Sequence, residues 1–224
     1  MNNSKIIVAL LLFVTVGSFC GIGQMESDTQ LAKSNMFEVT FENVNASQPL
    51  SPGVFVVHTV NLSLNFDGEL APPALEPLAE YGSNADFADY VRSLDGAVEV
   101  YTIDDPILPG ENTSFIIEVN SSEPLYLSSA QMAVASNDGY ALLDGVEIVD
   151  MDLTALPSVT EAMNYDAGTE ENQPLGSGFA GGQPDPSRGE ENIENGVSTE
   201  EPVQVHPQLT ETIMMVSVTP IEEQ

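Results

Sequence analysis

The sequence is poor in cysteine and in basic residues, and each shortage excludes a class of protein. Its single cysteine, Cys20, allows no intramolecular disulfide, so the fold depends on apolar burial, with or without a bound ion. Four Lys and Arg residues stand against 35 Asp and Glu residues, a formal net charge of 4 − 35 = −31. This charge repels nucleic acid and anionic lipid and attracts cations. DNA, RNA and phosphate-rich ligands are therefore excluded as expected partners.

Histidine is also scarce, which limits histidine-based catalysis and metal binding. Of the two histidines, His58 lies in an apolar run, where a hydrogen-bonded structural role is the better interpretation, and His206 precedes Pro207. No nucleophile-elbow pattern supports a Ser-His-Asp triad. The many carboxylates leave a glycosidase-like pair open without favouring one. We therefore do not expect an enzyme, and keep a hydrolase as the alternative.

The first 23 residues have the layout of a signal peptide. Lys5 precedes an apolar stretch at 6–16, and small residues follow it up to Gly23. This stretch is shorter than the roughly 18–20 residues that cross a bilayer. Cys20 is either lipidated or removed with the signal, and Phe19 before it favours removal. We expect a secreted or cell-surface protein that does not span a membrane after cleavage, with a linker at 24–35.

Alternating apolar and polar residues predict several half-buried β-strands. Continuous apolar runs predict two inner strands, and spacings of three, four and seven residues predict two short helices within 75–94. Together they indicate an all-β fold, an antiparallel sandwich with a short helical insertion. The alternating strands lie at 36–42, 98–101, 114–119 and 212–219, and the inner ones at 54–60 and 131–135.

The segment 173–205 is rich in Gly, Pro, Ser, Asn and Glu, and predicts a long, mobile acidic loop before the last strand. Within it, residues 176–181 match the pattern G-x-G-x-x-G. That dinucleotide-binding fingerprint needs a strand before it and a helix after it, so we interpret the match as chance. N-glycosylation sequons begin at Asn45, Asn61, Asn112 and Asn120.

Two acidic turns are the best candidates for a functional site. They lie at 136–140 and 165–172, and the second places Asp166 and Glu170 four residues apart across a glycine. Calcium takes about 6–8 oxygen ligands from carboxylates, carbonyls and water on adjacent loops. Most of the other acids are expected on a solvated surface, of which a salt-adapted host is the plainest explanation.

Six segments in order resemble the spondin domain, the N-terminal module of F-spondin and mindin, as found in standalone microbial proteins. Residues 37–44 and 48–59 are similar to its opening strands, and 75–82 to its helical insertion. The other similar segments are 127–132, 136–140 and 165–172. The resemblance covers residues 36–221 and implies a C2-like antiparallel β-sandwich.

The resemblance also implies a calcium site. In the animal members, aspartates of the two acidic turns hold Ca²⁺, and by position these roles fall on Asp138, Asp166 and Glu170. The glutamate at 170 replaces an aspartate, which lengthens that ligand by one methylene. Thrombospondin-type repeats and a reeler module are not found in these 224 residues, so matrix binding, integrin contact and axon guidance are not implied.

Three functions remain open at this point. The first is a calcium-binding adhesion or interaction module whose partner is an unknown extracellular protein or glycan. The second is a secreted hydrolase that uses a carboxylate pair on the same turns, and it requires a concave pocket with convergent acids. The third is a purely structural acidic surface protein, whose carboxylates serve only hydration.

Overall fold

The computed structural model describes residues 33–175 and 198–222, which form ten strands and two short helices. The predicted signal peptide, Cys20 and the G-x-G-x-x-G match lie outside the described residues. The strands are β1 Lys33–Asn43, β2 Leu50–His58, β3 Ala97–Ile103, β4 Asn112–Ser121, β5 Leu125–Ala133, β6 Gly139–Val149, β7 Ser158–Glu161, β8 Met163–Asp166, β9 Gln204–Val205 and β10 Met214–Ile221. The helices are α1 Leu75–Tyr81 and α2 Ala85–Ser93.

The strands form two antiparallel sheets, which confirms the predicted all-β sandwich with a helical insertion. One sheet has the order β4-β1-β10-β7 and the other β3-β2-β5-β6-β8-β9. In β1, for example, the register pairs Val39 with Val218 of β10 on one side and with Phe115 of β4 on the other.

The main core lies between the inner faces of the two sheets. Alternation in β1 turns Phe37, Val39 and Phe41 inward, and all three are fully buried. The Phe41 ring lies 5.1 Å from the Phe55 ring of β2, measured between centroids. Burying a large apolar side chain contributes about 1.5–3 kcal/mol, so these inward positions stabilise the contact between the sheets.

A second apolar layer covers the other face of the six-stranded sheet. Leu78 of α1 and Phe87 of α2 are fully buried and belong to one cluster with Val54 and Val56 of β2. The apolar run in β2 is continuous because the four-stranded sheet covers one face of this strand and the helices cover the other. In the described part of the chain, no helix has the length and apolar character needed to cross a bilayer.

The sequence patterns miss β6, although it is one of the longest strands. Its first half is a short continuous apolar run, Tyr140 to Leu143, which Asp144 and Gly145 end, and Gly145 adopts a positive φ of 68°. The pairing with β5 shifts register in the same region. An irregularity of this kind places an extra residue in the strand and breaks the two-residue period, so the strand escapes detection by alternation.

Two ordered segments lie within regions that the sequence predicts as linker and loop. The sequence predicts a linker up to residue 35, but β1 begins at Lys33. It predicts a mobile loop up to residue 205, yet residues 198–205 pair with the fold: Thr199 N donates to Thr169 O at 2.8 Å, and the buried Val203 donates to Glu69 O at 2.8 Å. The polar composition of this segment predicts a loop. Its backbone partners lie far away in the sequence, so composition alone does not show that they order it.

Candidate cation site

The antiparallel pairing of β6 and β8 brings the two acidic turns together. Asp138 immediately precedes β6, Asp166 is the last residue of β8, and Gly139 pairs with Asp166 in the register. A side chain at Gly139 would collide with the Ser136 hydroxyl, 2.5 Å from its Cβ. The tight turn at 136–139 therefore fixes Asp138 beside the end of β8.

The loop after β8 folds over the Asp138 carboxylate. Asp138 Oδ2 accepts the backbone N–H groups of Thr169 at 2.9 Å and Glu170 at 3.0 Å. Gly168, with φ of 70°, makes the turn between them and Asp166, whose Oδ1 accepts the Gly168 N–H at 2.9 Å. The three residues predicted from sequence thus belong to one hydrogen-bonded unit.

All three predicted residues are buried. Asp138 and Asp166 are 0% exposed and Glu170 is 2% exposed. Asp166 Oδ2 accepts a hydrogen bond from Asn172 Nδ2 and a longer one, 3.4 Å, from Gln204 Nε2. Asp138 Oδ1, in contrast, is buried without a hydrogen-bond partner among the described residues. A buried carboxylate oxygen of this kind carries a desolvation cost that hydrogen bonds do not offset.

The pKa of Asp138 shows the same desolvation cost. Burial, together with the negative charges of Asp166 and Glu80, raises the pKa of Asp138 to about 7, although the N–H groups of Glu170 and Thr169 oppose the rise. A carboxyl group in this setting is disfavoured as an anion unless a cation or a proton neutralises it.

No basic side chain of the described residues neutralises this cluster. Lys33 donates to Leu153 O at 3.1 Å, and Arg92 pairs with Asp89 at 2.7 Å. His206 lies beside Gly139, but its Nδ1 accepts the N–H groups of Gln208 and Leu209, and burial lowers its pKa. Burial outweighs the opposing charge of Asp166, so the neutral form of His206 is favoured.

Sequence reasoning misses one member of the site, Glu80 of α1. It is 3% exposed. Burial raises the pKa of Tyr81, and a hydrogen bond to Glu80 and the charges of Glu80 and Glu170 raise it further. The charge of Glu80 also raises the pKa of Asp138. In the sequence it is one of 35 acids, and no spacing relates it to turns more than 50 residues away.

The four acids do not form a ready coordination sphere. Across residues 33–175 and 198–222, no three carboxylate, imidazole or thiol side chains are grouped so that they could hold a metal ion. N–H donors already bind Asp138 Oδ2 and both Asp166 oxygens.

Three surface cavities lie outside the acidic cluster. Their volumes are about 440, 290 and 230 Å³. The second is lined by Gly168 and Thr169, but none of the three is lined by Asp138, Asp166 or Glu170. The second cavity is instead lined by three other acids, Glu76, Glu200 and Glu201.

His58 occupies the hydrogen-bonded structural position expected of it. Its Nδ1 lies 2.7 Å from Thr59 O, and its Nε2 lies 2.8 Å from the Ser128 hydroxyl. Ser128 Oγ is also 3.0 Å from Asp144 Oδ1. Both His58 and Ser128 are buried, at 1% and 0% exposure, so this contact joins β2, β5 and β6 inside the sheet.

The four sequons differ in accessibility. Asn61, Asn112 and Asn120 are exposed, the last two on β4 at an edge of its sheet. Asn45 is half-buried, and its Oδ1 accepts the N–H groups of Ser47 and Gln48, each at 3.0 Å.

Two comparisons with known proteins find no match. No protein-family model matches the chain. A search of curated proteins likewise finds no significant match. The spondin resemblance therefore remains a prediction from the ordered segments of the sequence.

Proposed function

We propose that this chain is a secreted or cell-surface calcium-binding interaction module with a spondin-like sandwich. The observation that carries the proposal is the buried acidic cluster without a basic counter-ion among the described residues. Asp138 Oδ1 is an oxygen in a fully buried position with no hydrogen-bond donor among those residues, and a divalent cation would neutralise it. The donors are all oxygens, which suits a hard cation such as Ca²⁺.

Asp138, Asp166 and Glu170 would hold the ion, helped by backbone carbonyls and water. Calcium supplies positive charge and no redox chemistry, so its role here is to fix the two turns against each other. Gly139, the residue after Asp138, already pairs with Asp166 between β6 and β8. Rigid loops at one end of a sandwich provide a preorganised surface for an extracellular protein or glycan partner.

The test is thermal unfolding at constant ionic strength in Ca²⁺ and in EDTA. Calcium at about 100 times its Kd contributes about 2.7 kcal/mol, roughly a 5–10 °C rise in Tm for a domain of this size. Asp166→Asn should lose most of this rise. Asp105→Asn, which removes an exposed acid between β3 and β4, should respond as the wild type does.

Equal responses of the wild type and Asp166→Asn would contradict the proposal. Calcium would then act only by screening the net charge, and the acidic surface would serve hydration, as in the purely structural alternative. Repeating the titration with Mg²⁺ separates the two cases further, because general screening by divalent cations does not discriminate between Mg²⁺ and Ca²⁺, whereas a site of several carboxylates does.

A further inference from the structure

A chain of short contacts runs from the interior of the six-stranded sheet to its surface through His58, Ser128 and Asp144. His58 Nε2 lies 2.8 Å from Ser128 Oγ, and Ser128 Oγ lies 3.0 Å from Asp144 Oδ1. His58 and Ser128 are buried, whereas Asp144 is exposed. The Ser128 hydroxyl thus connects a buried titratable ring to a solvated carboxylate.

The second ring nitrogen of His58 determines where a neutral ring carries its proton. His58 Nδ1 lies 2.7 Å from the Thr59 carbonyl oxygen. A carbonyl oxygen can only accept a hydrogen bond, so Nδ1 carries a proton. A neutral imidazole has one N–H group, and its Nε2 is then an acceptor that requires a donor. The Ser128 hydroxyl is the donor that stands at hydrogen-bond distance from Nε2.

The Ser128 hydroxyl has one proton for two acceptors when His58 is neutral. It cannot donate to His58 Nε2 and to Asp144 Oδ1 at the same time. Its oxygen accepts the Gly145 N–H at 2.8 Å and has one further lone pair. A protonated His58 donates from Nε2 to that lone pair, which leaves the hydroxyl proton for Asp144. All four hydrogen bonds of this network therefore exist together only when His58 is an imidazolium.

Opposing influences act on the charge of His58. Burial lowers its pKa, while the Thr59 carbonyl and the negative charge of Asp144 oppose the fall. In the sheet His58 pairs with Tyr126 of β5, whose ring centroid lies 6.0 Å away, and with Ala97 of β3, and neither adds a charge near neutral pH. Because burial prevails, the ring takes up its proton below the ordinary value of 6.5.

We propose that His58, Ser128 and Asp144 form a pH-sensitive switch, in which the Ser128 hydroxyl donates to Asp144 when His58 is protonated and to His58 when it is neutral. The proton state of the buried ring thus reaches the surface, because Asp144 and Glu161 are the two acids that line the cavity of about 230 Å³. Protonation of His58 compensates one of these two charges. None of the three residues is a proposed calcium ligand, so the switch does not depend on the cation.

The experiment is an NMR titration of the full chain from about pH 8 to about pH 4, with ¹⁵N in the imidazole rings assigned through their own backbone signals. Neutral His58 should carry its proton on Nδ1. His206 should show the reverse, because its Nδ1 accepts two N–H groups. Asp144→Asn should lower the pKa of His58 further, by about one pH unit, because the charge that favours the imidazolium is lost.

Glu147→Gln is the matched control, because it removes one negative charge at another exposed position of β6. It should leave the pKa of His58 as in the wild type. Adding Ser128→Ala should reduce the effect of Asp144→Asn to less than about half, because the hydroxyl that links the two groups is gone.

Two results would overturn the switch. One is a neutral His58 that carries its proton on Nε2, and the other is an equal pKa of His58 in the wild type and in Asp144→Asn. Both are measured with the Ser128 hydroxyl in place, so they decide the question even if Ser128→Ala does not fold.

Discussion

Two buried polar clusters lie on the six-stranded sheet, and they handle charge differently. In the first, His58 and Ser128 meet Asp144, whose oxygens accept the Leu64 N–H at 2.7 Å and the Ser63 hydroxyl at 2.7 Å. Asp144 is exposed to solvent. The second is the acidic cluster of Asp138, Asp166, Glu170 and Glu80, in which every member is buried.

The comparison shows what distinguishes a structural cluster from a candidate binding site. The first cluster contains one exposed carboxylate, that of Asp144, which accepts three hydrogen bonds and needs no added counter-ion. The second concentrates like charges where water is excluded, and the described residues supply N–H donors but no cation. It reaches low energy only by taking up protons or a cation from solution.

The largest expected effect is on the pH dependence of the metal-free protein. Burial, with the charge of Asp166, raises the pKa of Asp138 from 3.8 to about 7. The folded state then binds more protons than the unfolded state between these values, so the free energy of unfolding falls as pH rises from about 4 to about 7. The loss approaches about 4 kcal/mol, and urea unfolding in EDTA across this range measures it.

Asp138→Asn provides the control for this pH dependence. In EDTA the variant should gain stability relative to the wild type as the pH rises from about 4 to about 7, because it has no charge to bury. The other carboxylates contribute equally to both proteins, so only the difference between the two curves is diagnostic. Parallel curves would mean that the Asp138 carboxylate is already neutralised without a bound metal.

The next largest loss of stability is expected in the cluster of His58, Ser128 and Asp144. Ser128→Ala removes a hydroxyl that contacts His58 Nε2 and Asp144 and that accepts the Gly145 N–H at 2.8 Å. We expect a loss of about 2–4 kcal/mol, from buried groups left unsatisfied, equal in Ca²⁺ and in EDTA. Ser129→Ala is the matched control, because Ser129 Oγ is buried without a hydrogen bond among the described residues. Similar losses in both variants would refute the stabilising role of the hydrogen bonds that Ser128 makes with His58 and Asp144.

A smaller loss is expected from Gly168→Ala, which changes the acidic turn without altering charge. The added Cβ would lie 2.3 Å from Glu201 O at a positive φ of 70°. Gly110 shares the positive φ, 79°, but a Cβ added there would meet no atom within 4 Å among the described residues. Gly110→Ala should therefore cost only the backbone strain, about 1–2 kcal/mol, and Gly168→Ala should cost more and expose residues 198–202 to proteolysis.

The smallest effect is expected for the exposed ion pair of α2. Arg92 and Asp89 lie 2.7 Å apart, with side chains 48% and 81% exposed. Arg92→Gln should change the free energy of unfolding by less than about 0.5 kcal/mol, and added salt should remove the difference. A larger, salt-resistant effect would show that Arg92 acts on more than its neighbour in the helix.

Local patterns are sufficient to predict the strands with regular alternation. Phe37, Val39 and Phe41 face the core as the two-residue period requires, and the helical spacing at 75–94 corresponds to α1 and α2. The patterns do not predict β6, whose apolar run ends at Asp144 and Gly145 in the middle of the strand. They also fail at 198–205, where pairing with distant residues orders a segment of loop-like composition.

For the candidate site, the sequence identifies three acids through the order of the motifs around them, and the fold brings their turns together. Glu80 lies beyond this reasoning, because its relation to Asp138 exists only after α1 packs on the sheet.

The sequence by itself determined the acidic charge, the lack of disulfides and the alternation that makes this chain a β-sandwich, since these depend on composition and on the period of the backbone. Only the tertiary structure decided which carboxylates are buried together and which have partners. Burial and hydrogen bonding depend on contacts between residues far apart in the chain, and those contacts select four of the 35 acids.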